Sequence, residues 1–443
     1  SMALLLYRLL FPLAFLVALP FYAARLLRRE RGRAGHAKPE GYRLGLADRF
    51  GRYDAALTAR LRERPVALWI CSISVGEALV ALKLARAFRG RNPDAHVAVS
   101  VTTSTGYELL LREAAGSPWL IPMYNPIDFA FAARAAIATV RPSVLVFTEG
   151  GIWPNLLAAA HAAGVRIILA AARLSPRSER RWRRFRGMTR AVWDLFDLVC
   201  VPDAEDVARF AGIGVPGERL RHTGSVKLDN ATSEAPSRET EVRALAAACG
   251  VSGLFIVGGS TWAPEEKILA AALGELRREF PSLRLILVPR HVERAGAIER
   301  ELSEAGIRLA RRSRLPASGE ADVLLVDTTG ELRDWYRLAT VAFVGKSLPG
   351  IAETGGQNAG EPASLGVPVV FGPHMENFSP LVAHLLRLDA AIQIANASAL
   401  VPAFRELLRD SARRTAIGRR AADALAMHQG ATARTVELLL VPR

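Results

Sequence analysis

Residues 66–103 read VALWICSISVGEALVALKLARAFRGRNPDAHVAVSVTT, and this stretch decides the fold. A short apolar run, VALWICSIS, precedes an amphipathic helical pattern, EALVALKLARAF, and a second apolar run, HVAVSVTT, follows it. Apolar strands that alternate with helices are typical of a parallel sheet covered by helices on both faces. The stretch therefore predicts a strand, a helix and a second, parallel strand.

The same alternation continues along the chain in two sets. The first set adds SVLVFTEG, RIILAAA and DLVCVPD, and the second contains LFIVGGS, LRLILVPRH, VLLVDTT, VAFVGKS and VPVVFGP. A charged stretch of small residues, Asn230 to Glu241, separates the two sets. We predict an α/β protein with two doubly wound, Rossmann-like domains. The predicted divisions are a membrane anchor segment at 1–33, a first domain at 34–230 and a second domain at 231–443.

The composition and the absence of certain motifs indicate which partners and enzyme classes are expected. The 443 residues include 58 Lys and Arg against 43 Asp and Glu, a formal charge of +15, which favours anionic partners. The three cysteines, Cys71, Cys200 and Cys249, lie far apart, so neither a disulfide framework nor a thiolate metal site is expected. P-loop and His-Glu-x-x-His motifs are absent from the sequence, which argues against an NTPase and a zinc peptidase.

The N-terminus is the apolar exception in this chain. Leu9 to Ala24 carries no charge, but its sixteen residues fall just short of the roughly 17–25 that span a bilayer. We expect Pro12 and Pro20 to kink or interrupt a helix here, so shallow insertion competes with spanning. A secretory signal and a buried core helix are the alternatives. The positive-inside rule keeps the remainder cytoplasmic, because arginines follow the apolar run at positions 25, 28, 29, 31 and 33.

Ligands of such sheets bind outside the carboxyl ends of the strands, so these junctions are the candidate site. At one junction Glu77 follows Ser74 by three residues, a spacing that suits either a capping box or a general base. At another, Glu149 ends an apolar run before two glycines, and Lys227 ends the first domain. The segment Thr102 to Gly106 suits an anion, a sugar or a plain helix cap. We expect one cleft between the two domains.

A basic run follows Ser175, with Trp182 and Phe185 between its charges. It suits an anionic surface, although a solvated helix face has the same pattern. The arginines of this run stand at positions 177, 180, 181, 183, 184 and 186.

The second domain has its own candidates at the ends of apolar runs. Glycines at helix starts beside basic groups form phosphate sites, and Asn358 and Glu361, three residues apart, either bracket ribose hydroxyls or cap a helix. The other candidates are Gly258 to Thr261, Pro289, Arg290, His291, Thr329, Gly330 and Glu331.

These motifs, taken in order, resemble the lipid A Kdo transferases, where Kdo is 3-deoxy-D-manno-octulosonic acid. The resemblance covers nearly the whole chain, including the apolar N-terminus. The matching segments are Ser74-Val-Gly-Glu77, Thr148-Glu149 with Trp153-Pro154-Asn155, Ala172-Arg-Leu-Ser175, Lys227, Gly259-Ser-Thr261, Pro289-Arg-His291, Gly330-Glu-Leu332, Gly355-Gly-x-Asn358-x-x-Glu361-Pro362, and Phe371-Gly-Pro-His374 with Asn377-Phe378.

The resemblance implies a GT-B fold, with two domains facing a central cleft, and an inverting transferase that moves Kdo from CMP-Kdo to a lipid A precursor. It implies location at the cytoplasmic face of the inner membrane and contact with its anionic surface. Glu77 would be the catalytic base, supported by Glu149 and Lys227. CMP would be held by residues Pro289, Arg290, Thr329, Gly330, Glu331, Asn358 and Glu361. We expect neither a metal nor another cofactor, because the leaving group carries one phosphate, and no nucleic acid partner.

Two positions depart from the family pattern. Gly151 stands where relatives usually carry a second acidic residue, and Gln357 stands in place of a histidine. Two other functions remain open at this point. One is a transferase of the same architecture that uses another CMP-linked or nucleotide-linked sugar, and the other is a non-enzymatic basic protein that binds membrane surfaces or nucleic acid.

Overall fold

The computed structural model describes residues 2–32, 39–229, 238–248, 253–315 and 320–441. The chain forms two units: Ser1–Asp229 with Gly430–Arg443, and Asn230–Gln429. The predicted boundary segment from Asn230, and Cys249, fall partly or wholly outside the described residues.

The first unit contains a seven-stranded sheet in the order β3-β2-β1-β4-β5-β6-β7, with every neighbouring pair parallel. Its strands are β1 Val66–Cys71, β2 His96–Val101, β3 Leu120–Tyr124, β4 Val144–Thr148, β5 Arg166–Ala170, β6 Leu198–Val201 and β7 Leu220–His222. Its helices are α1 Met2–Gly32, α2 Ala55–Glu63, α3 Val75–Arg91, α4 Ser104–Ala115, α5 Ala130–Val140, α6 Pro154–Ala162, α7 Pro176–Arg184, α8 Arg186–Trp193 and α9 Ala204–Gly212, joined by a last helix from the chain's end.

The second unit contains another parallel seven-stranded sheet, in the order β10-β11-β9-β8-β12-β13-β14. Its helices start with α10 Glu239–Ala248, and its strands are β8 Phe255–Thr261, β9 Arg284–Pro289, β10 Leu309–Arg311, β11 Val323–Leu325, β12 Val341–Val344, β13 Val369–Phe371 and β14 Ile392–Gln393. The remaining helices are α11 Glu265–Leu276, α12 Ala295–Glu304, α13 Leu332–Leu338, α14 Gly360–Ser364, α15 Ser379–Arg387, α16 Leu400–Arg409 and α17 Ser411–Ala426, and α18 Ala431–Leu440 belongs to the first unit.

Helices cover both faces of each sheet, which is why the inner strands are mostly apolar on both faces. Buried residues of β1 divide between two cores: Trp69 faces one, and Leu68 and Ile70 face the other. The second sheet divides in the same way, with Ile256 and Val257 of β8 in opposite cores. The predicted class, α/β with two doubly wound domains, is confirmed.

The predicted second domain, 231–443, is wrong at its C-terminal end. Helix α18 packs on the first unit, because the Asp229 carboxylate accepts hydrogen bonds from the N–H groups of Gly430 (2.9 Å) and Thr432 (2.7 Å) at its start. At its end, the Arg166 guanidinium donates to the carbonyls of Leu438 and Val441, both at 2.6 Å.

Helix α1 continues through Pro12 and Pro20, so the expected interruption at these prolines does not occur. Phe11 and Phe15 pack edge-on against Phe129, at ring distances of 5.3 and 5.1 Å. The opposite face is apolar and exposed. Leu4–Phe21 has a mean hydropathy of 2.1 over 18 residues, long and apolar enough to cross a membrane.

Candidate active site

In each sheet some of the predicted site residues follow the strands at which the strand order reverses. In the first sheet β1 and β4 are neighbours, and the chain proceeds outward from them in opposite directions. Glu77 follows β1 and Glu149 follows β4. The equivalent pair in the second sheet is β8 and β12. Ligands of doubly wound sheets bind outside the carboxyl ends of the strands at this reversal.

Glu77 lies in the first turn of α3, and its side chain folds back over the helix start. The N-cap residue Ser74 accepts a hydrogen bond from the Glu77 N–H at 3.3 Å. In return Glu77 Oε2 accepts from the Ile73 N–H at 2.9 Å and from the Thr148 hydroxyl at 3.1 Å. The Ser-x-x-Glu spacing therefore forms a cap, and this cap holds the carboxylate beside the end of β4.

Glu149 has a left-handed backbone with φ of 60°, a conformation that is uncommon outside glycine. Its N–H donates to the Ala170 carbonyl at 3.0 Å, and its carbonyl accepts from the Arg173 N–H at 2.9 Å, so β5 and the segment after it fix this conformation. The Glu149 carboxylate forms an ion pair with the Lys227 ammonium. Backbone strain of this kind costs about 1–3 kcal/mol and clusters at functional sites.

Lys83 of α3 fixes the segment that carries Lys227. Its ammonium donates to the carbonyl of Val226 at 2.9 Å and to the carbonyl of Asp229, so it grips the chain on both sides of Lys227. Burial lowers the pKa of Lys83. One helix therefore positions both Glu77 and the cation that pairs with Glu149.

The surroundings of Glu77 suit a general base. Burial raises the pKa of its carboxyl above the ordinary value, and the Glu149 carboxylate raises it further. The Ile73 N–H, the Thr148 hydroxyl and the Lys227 ammonium oppose this shift without cancelling it. A half-buried carboxylate with a raised pKa is a stronger proton acceptor than an exposed one.

Ile73 occupies the space beside Gly151. A Cβ added at Gly151 would lie 2.8 Å from Ile73 Cδ1 and 3.2 Å from Ile73 Cγ1. Such contacts are too short for any side chain unless Ile73 moves. The glycine and the isoleucine therefore fit each other, and no carboxylate at 151 joins Glu77 and Glu149.

Asp128 supports the loop that follows Glu149, because α6 starts where that loop ends. Its carboxylate accepts hydrogen bonds from the N–H groups of Asn155 (3.0 Å) and Leu156 (2.9 Å). Burial raises the pKa of Asp128 to about 6. Arg8 of α1 donates to Asn155 Oδ1 at 2.9 Å, so the N-terminal helix is tied to this support.

In the second unit Glu265 organises the reversal point. This fully buried carboxylate accepts hydrogen bonds from four backbone N–H groups: those of Trp262 at 3.0 Å, Lys346 at 2.8 Å, Ser347 at 3.0 Å and Leu348 at 3.2 Å. It thereby joins the loop after β8 to the loop after β12. Ser260, near the end of β8, and Lys346, on the loop after β12, have left-handed backbones with φ of 51° and 60°.

Arg290 is a cation at this edge that is available to a ligand. Its N–H donates to the Thr261 carbonyl at 3.1 Å, which ties the end of β9, at Pro289, to β8. Its guanidinium is exposed and has no hydrogen bond or ion pair with any residue that the structure describes. Arginine binds phosphate through paired N–H donors, so this side chain suits a nucleotide phosphate.

Thr329, Gly330 and Glu331, which are predicted to bind the sugar donor, differ in their exposure to solvent. Thr329 and Gly330 are exposed, and Gly330 has φ of 83°, whereas Glu331 is buried. The Glu331 carboxylate accepts hydrogen bonds from Thr328 and Trp335 and forms ion pairs with Arg238 and Arg312. Its oxygens are therefore already engaged by protein donors.

Asn358 and Glu361 lie together at the start of α14. Asn358 Nδ2 is 3.4 Å from Glu361 Oε1, and Asn358 Oδ1 accepts from the Gly360 N–H at 3.0 Å, so Asn358 also caps the helix. Burial raises the pKa of the Glu361 carboxyl. The preceding Gly355 has no room for a side chain, because a Cβ there would meet Asn377 Nδ2 at 2.4 Å.

The basic run forms α7 and α8. Trp182 packs on the buried Trp193, with ring centroids 4.9 Å apart, and Arg183 pairs with Glu179 at 3.0 Å. The other arginines of the run are exposed and have no ion pair with a residue that the structure describes; they are Arg177, Arg180, Arg181, Arg184 and Arg186.

Within the described ranges, no group of three or more His, Cys, Asp or Glu side chains is placed to hold a metal ion. The predicted catalytic residues Glu77, Glu149 and Lys227 lie together in the first unit, whereas the predicted donor residues belong to the second. Of the supporting residues, Thr148 stands in a motif of the sequence, without a role of its own there, whereas Asp128 and Glu265 are not among the predicted residues. Thr148 precedes Glu149 directly, but nothing in the local sequence marks the other two.

Known proteins with similar sequences cover nearly the whole chain. Residues 45–230 match the family described as 3-Deoxy-D-manno-octulosonic-acid transferase (kdotransferase). The 3-deoxy-D-manno-octulosonic acid transferase of Bordetella pertussis is 35% identical, covering 88% of this chain and 90% of its own. The same-named protein of Haemophilus influenzae is 30% identical, covering 91% and 92%. A crystal structure of the C-terminal CMP-Kdo binding domain of WaaA from Acinetobacter baumannii is 29% identical over 42% of this chain and 97% of that one, with a TM-score of 0.39.

Proposed function

This chain belongs to the 3-deoxy-D-manno-octulosonic acid transferase family, and from that premise we propose how its residues carry out the transfer and which acceptor they serve. It is a glycosyltransferase of the GT-B fold class that transfers Kdo from CMP-Kdo in the synthesis of the lipopolysaccharide core. The acceptor that we propose is a phosphorylated lipid A precursor. The observation that carries the proposal is that Glu77 and Glu149 follow the two strands at which the strand order reverses and that Lys227 pairs with Glu149.

Glu77 acts as the general base. Its carboxylate takes the proton from an acceptor hydroxyl while that oxygen forms a bond to the anomeric carbon of Kdo. The bond from this carbon to the CMP phosphate oxygen breaks, and its electron pair leaves with CMP. Attack opposite the leaving group inverts the configuration. The raised pKa of Glu77 favours proton uptake at this step.

Glu149 and Lys227 keep this base in place and in the right charge state. The Glu149 carboxylate raises the pKa of Glu77, and the Lys227 ammonium lowers it. Because these two side chains pair with each other, they remain fixed while the proton moves. Fixed charges that need no rearrangement stabilise a transition state better than mobile ones.

The CMP half of the donor is held by the second unit. The free guanidinium of Arg290 binds the phosphate, and Asn358 and Glu361 take the ribose hydroxyls. Pro289, Thr329 and Gly330 supply backbone at the same edge. Glu331 serves as a positioning residue, since its carboxylate already accepts bonds from Thr328 and Trp335.

The reaction needs no metal ion in this proposal. CMP departs with a single phosphate, whose charge one guanidinium and backbone N–H groups balance. Removal of divalent cations by a chelator should leave turnover unchanged. A loss of turnover that added Mg²⁺ restores would contradict this part of the proposal.

The enzyme works at the cytoplasmic face of the inner membrane. Helix α1 supplies an exposed apolar face, and the arginines after residue 24 favour the cytoplasmic side and an anionic surface. The acceptor's acyl chains lie in the same bilayer, so its sugar is presented close to the protein.

Incubation of the protein with CMP-Kdo and a lipid A precursor tests the function, with mass spectrometry as the readout. We expect the precursor to gain the mass of Kdo and the Glu77→Gln variant to leave it unmodified. Competition by other CMP-linked sugars tests the donor. Transfer of a different sugar in preference to Kdo would overturn the assignment of the donor.

A further inference from the structure

A pocket of about 480 Å³ lies between α1 and α8, apart from the catalytic residues. Most of its wall is apolar, and its lining includes Leu4, Tyr7, Ile152, Trp182, Phe185 and Val192. Ligand pockets for small molecules have about 300–1,000 Å³ and mostly apolar walls, so this cavity is large enough for part of a lipid.

The pocket borders the exposed apolar face of α1. Leu4 and Tyr7 line it, whereas Leu9 and Leu13 on the same helix are 71% and 61% exposed. In the proposed orientation, a hydrocarbon chain can pass from the bilayer around α1 into the pocket without crossing water. A water-soluble ligand would gain nothing from this placement.

The charge of the surroundings fits an acidic lipid. Arg181 is part of the pocket wall, and Arg177, Arg180 and Arg184 lie exposed on the same short helix. None of these four has an ion pair with any residue in the described parts of the chain. A phosphate beside the pocket mouth would supply the missing countercharge.

The pocket also shares a wall with the catalytic loop. Ile152 and Pro154 line it, and they lie three and five residues after Glu149. The Asp128 carboxylate fixes the end of that loop. A molecule seated in the pocket is therefore adjacent to the segment that carries Glu149, which favours the acceptor over a bulk membrane lipid.

We propose that this pocket binds one fatty acyl chain of the phosphorylated lipid acceptor, with the arginines of α7 on its phosphate. The inference rests on the proposed function, because it assigns a second contact to the same acceptor. It predicts that an acyl chain of the acceptor binds the protein directly, in addition to holding the acceptor in the bilayer.

Thr189 allows a matched test, since it lines the pocket and its hydroxyl donates to the Phe185 carbonyl at 3.1 Å. Thr189→Phe fills the pocket and loses this hydrogen bond, whereas Thr189→Val loses the bond alone. Each variant is assayed in detergent with the acylated acceptor and with an acceptor stripped of its acyl chains.

We expect Thr189→Phe to raise KM for the acylated acceptor about tenfold, because the added ring would keep one or two methylenes of the acyl chain out of the pocket. Thr189→Val should leave this KM unchanged. KM for the stripped acceptor and for CMP-Kdo should not change. Leu4→Phe fills the pocket from the opposite wall and replaces Thr189→Phe if thermal unfolding shows that the latter does not fold.

Equal KM values for wild type and both filling variants would overturn the inference, and so would equal increases with both acceptors. A loss of vesicle binding with acceptor KM unchanged would assign the pocket to a membrane phospholipid instead. If the wild type transfers Kdo to neither acceptor, the proposed function fails first, so the two failures are distinguishable.

Discussion

The Thr148 hydroxyl lies 3.1 Å from Oε2 of Glu77, so the last residue of one strand holds the carboxylate that follows the neighbouring strand. β1 and β4 are not consecutive in the chain, and they lie side by side because the strand order reverses between them. This contact therefore depends on the topology of the sheet. The same topology brings Glu149 beside Glu77. The Glu77 carboxylate therefore takes part both in the local cap of α3 and in a contact with Thr148, which is distant in sequence.

Replacing this carboxylate should separate chemistry from stability. We expect Glu77→Gln to lower kcat by about two to four orders of magnitude, the usual effect of losing a general base. CMP affinity, measured by calorimetry, should not change. Asp410→Ala, which removes the N-cap of α17, is the control, because it should cost about 1 kcal/mol of unfolding free energy while turnover stays near normal. Near-normal turnover of Glu77→Gln would remove Glu77 from the mechanism.

The pH dependence should report the neighbours of Glu77. Turnover falls as pH decreases through the pKa of Glu77, because the protonated carboxyl cannot accept a proton, and burial places that pKa above its ordinary value. Glu149→Gln removes a charge that raises this pKa, so the acid limb of the kcat profile should move to lower pH. Glu113→Gln, which removes a surface partner of Arg86, should leave the profile in place. A shift to higher pH in Glu149→Gln would contradict the assignment.

Donor binding should depend on the free guanidinium of Arg290. We expect Arg290→Ala to weaken CMP binding about 10–100-fold, the effect of losing a charged hydrogen-bonding group on phosphate. Arg278→Ala is the control, because Arg278 is also exposed but follows α11 at the opposite edge of the sheet. Calorimetry with CMP measures both variants. Equal affinities for CMP would place the phosphate elsewhere.

The fit between Gly151 and Ile73 can be tested by stability alone. Gly151→Ala places a Cβ against Ile73 Cδ1, the end of a side chain that is 37% exposed and can turn aside, so we expect a loss of only about 0.5–1.5 kcal/mol in unfolding free energy. Ile73→Val removes that methyl group, and the double variant should recover most of the loss, a coupling that independent sites do not show. Additive losses in denaturant titrations would show that the two positions do not interact.

Membrane binding should depend on the outward face of α1. Leu9, Leu13 and Val17 are 71%, 61% and 74% exposed, and changing all three to Ser should release much of the protein from anionic vesicles at high salt, where the arginine contribution is screened. Leu46→Ser, at an exposed leucine outside the helix, is the control. Full sedimentation of the triple variant at high salt would mean that α1 is not the anchor.

The sequence predicts the ten inner strands but none of the four edge strands. Strands β3, β7, β10 and β14 lie at the four sheet edges. Three of these strands have only two or three residues and are partly exposed, so they contain no long apolar run. Strand β3 is buried throughout, but Pro122 in its middle interrupts the strand pattern. The absent signal in the sequence therefore reflects the position of these strands in the sheet.

The candidate site shows a similar limit. Glu77, Glu149 and Lys227 could be named because each stands at a strand end or in a family motif, although they are distant in sequence. Glu265 could not be named in this way. Its role is to accept hydrogen bonds from four backbone N–H groups, and backbone donors leave no pattern of side chains in the sequence. Three of its four partners, Lys346 to Leu348, lie 81 to 83 residues away.

The packing of α18 on the first unit sets the order in which the protein is completed during synthesis. The ribosome makes all of Asn230–Gln429 before Gly430 and Thr432 reach the Asp229 carboxylate. The whole sequence of the second unit is therefore synthesised before α18 can pack on the first unit. Until then Asp229 and Arg166 lack their hydrogen-bond partners in and around α18. A nascent chain stalled short of residue 430 would carry Glu77, Glu149 and Lys227 in an unfinished unit.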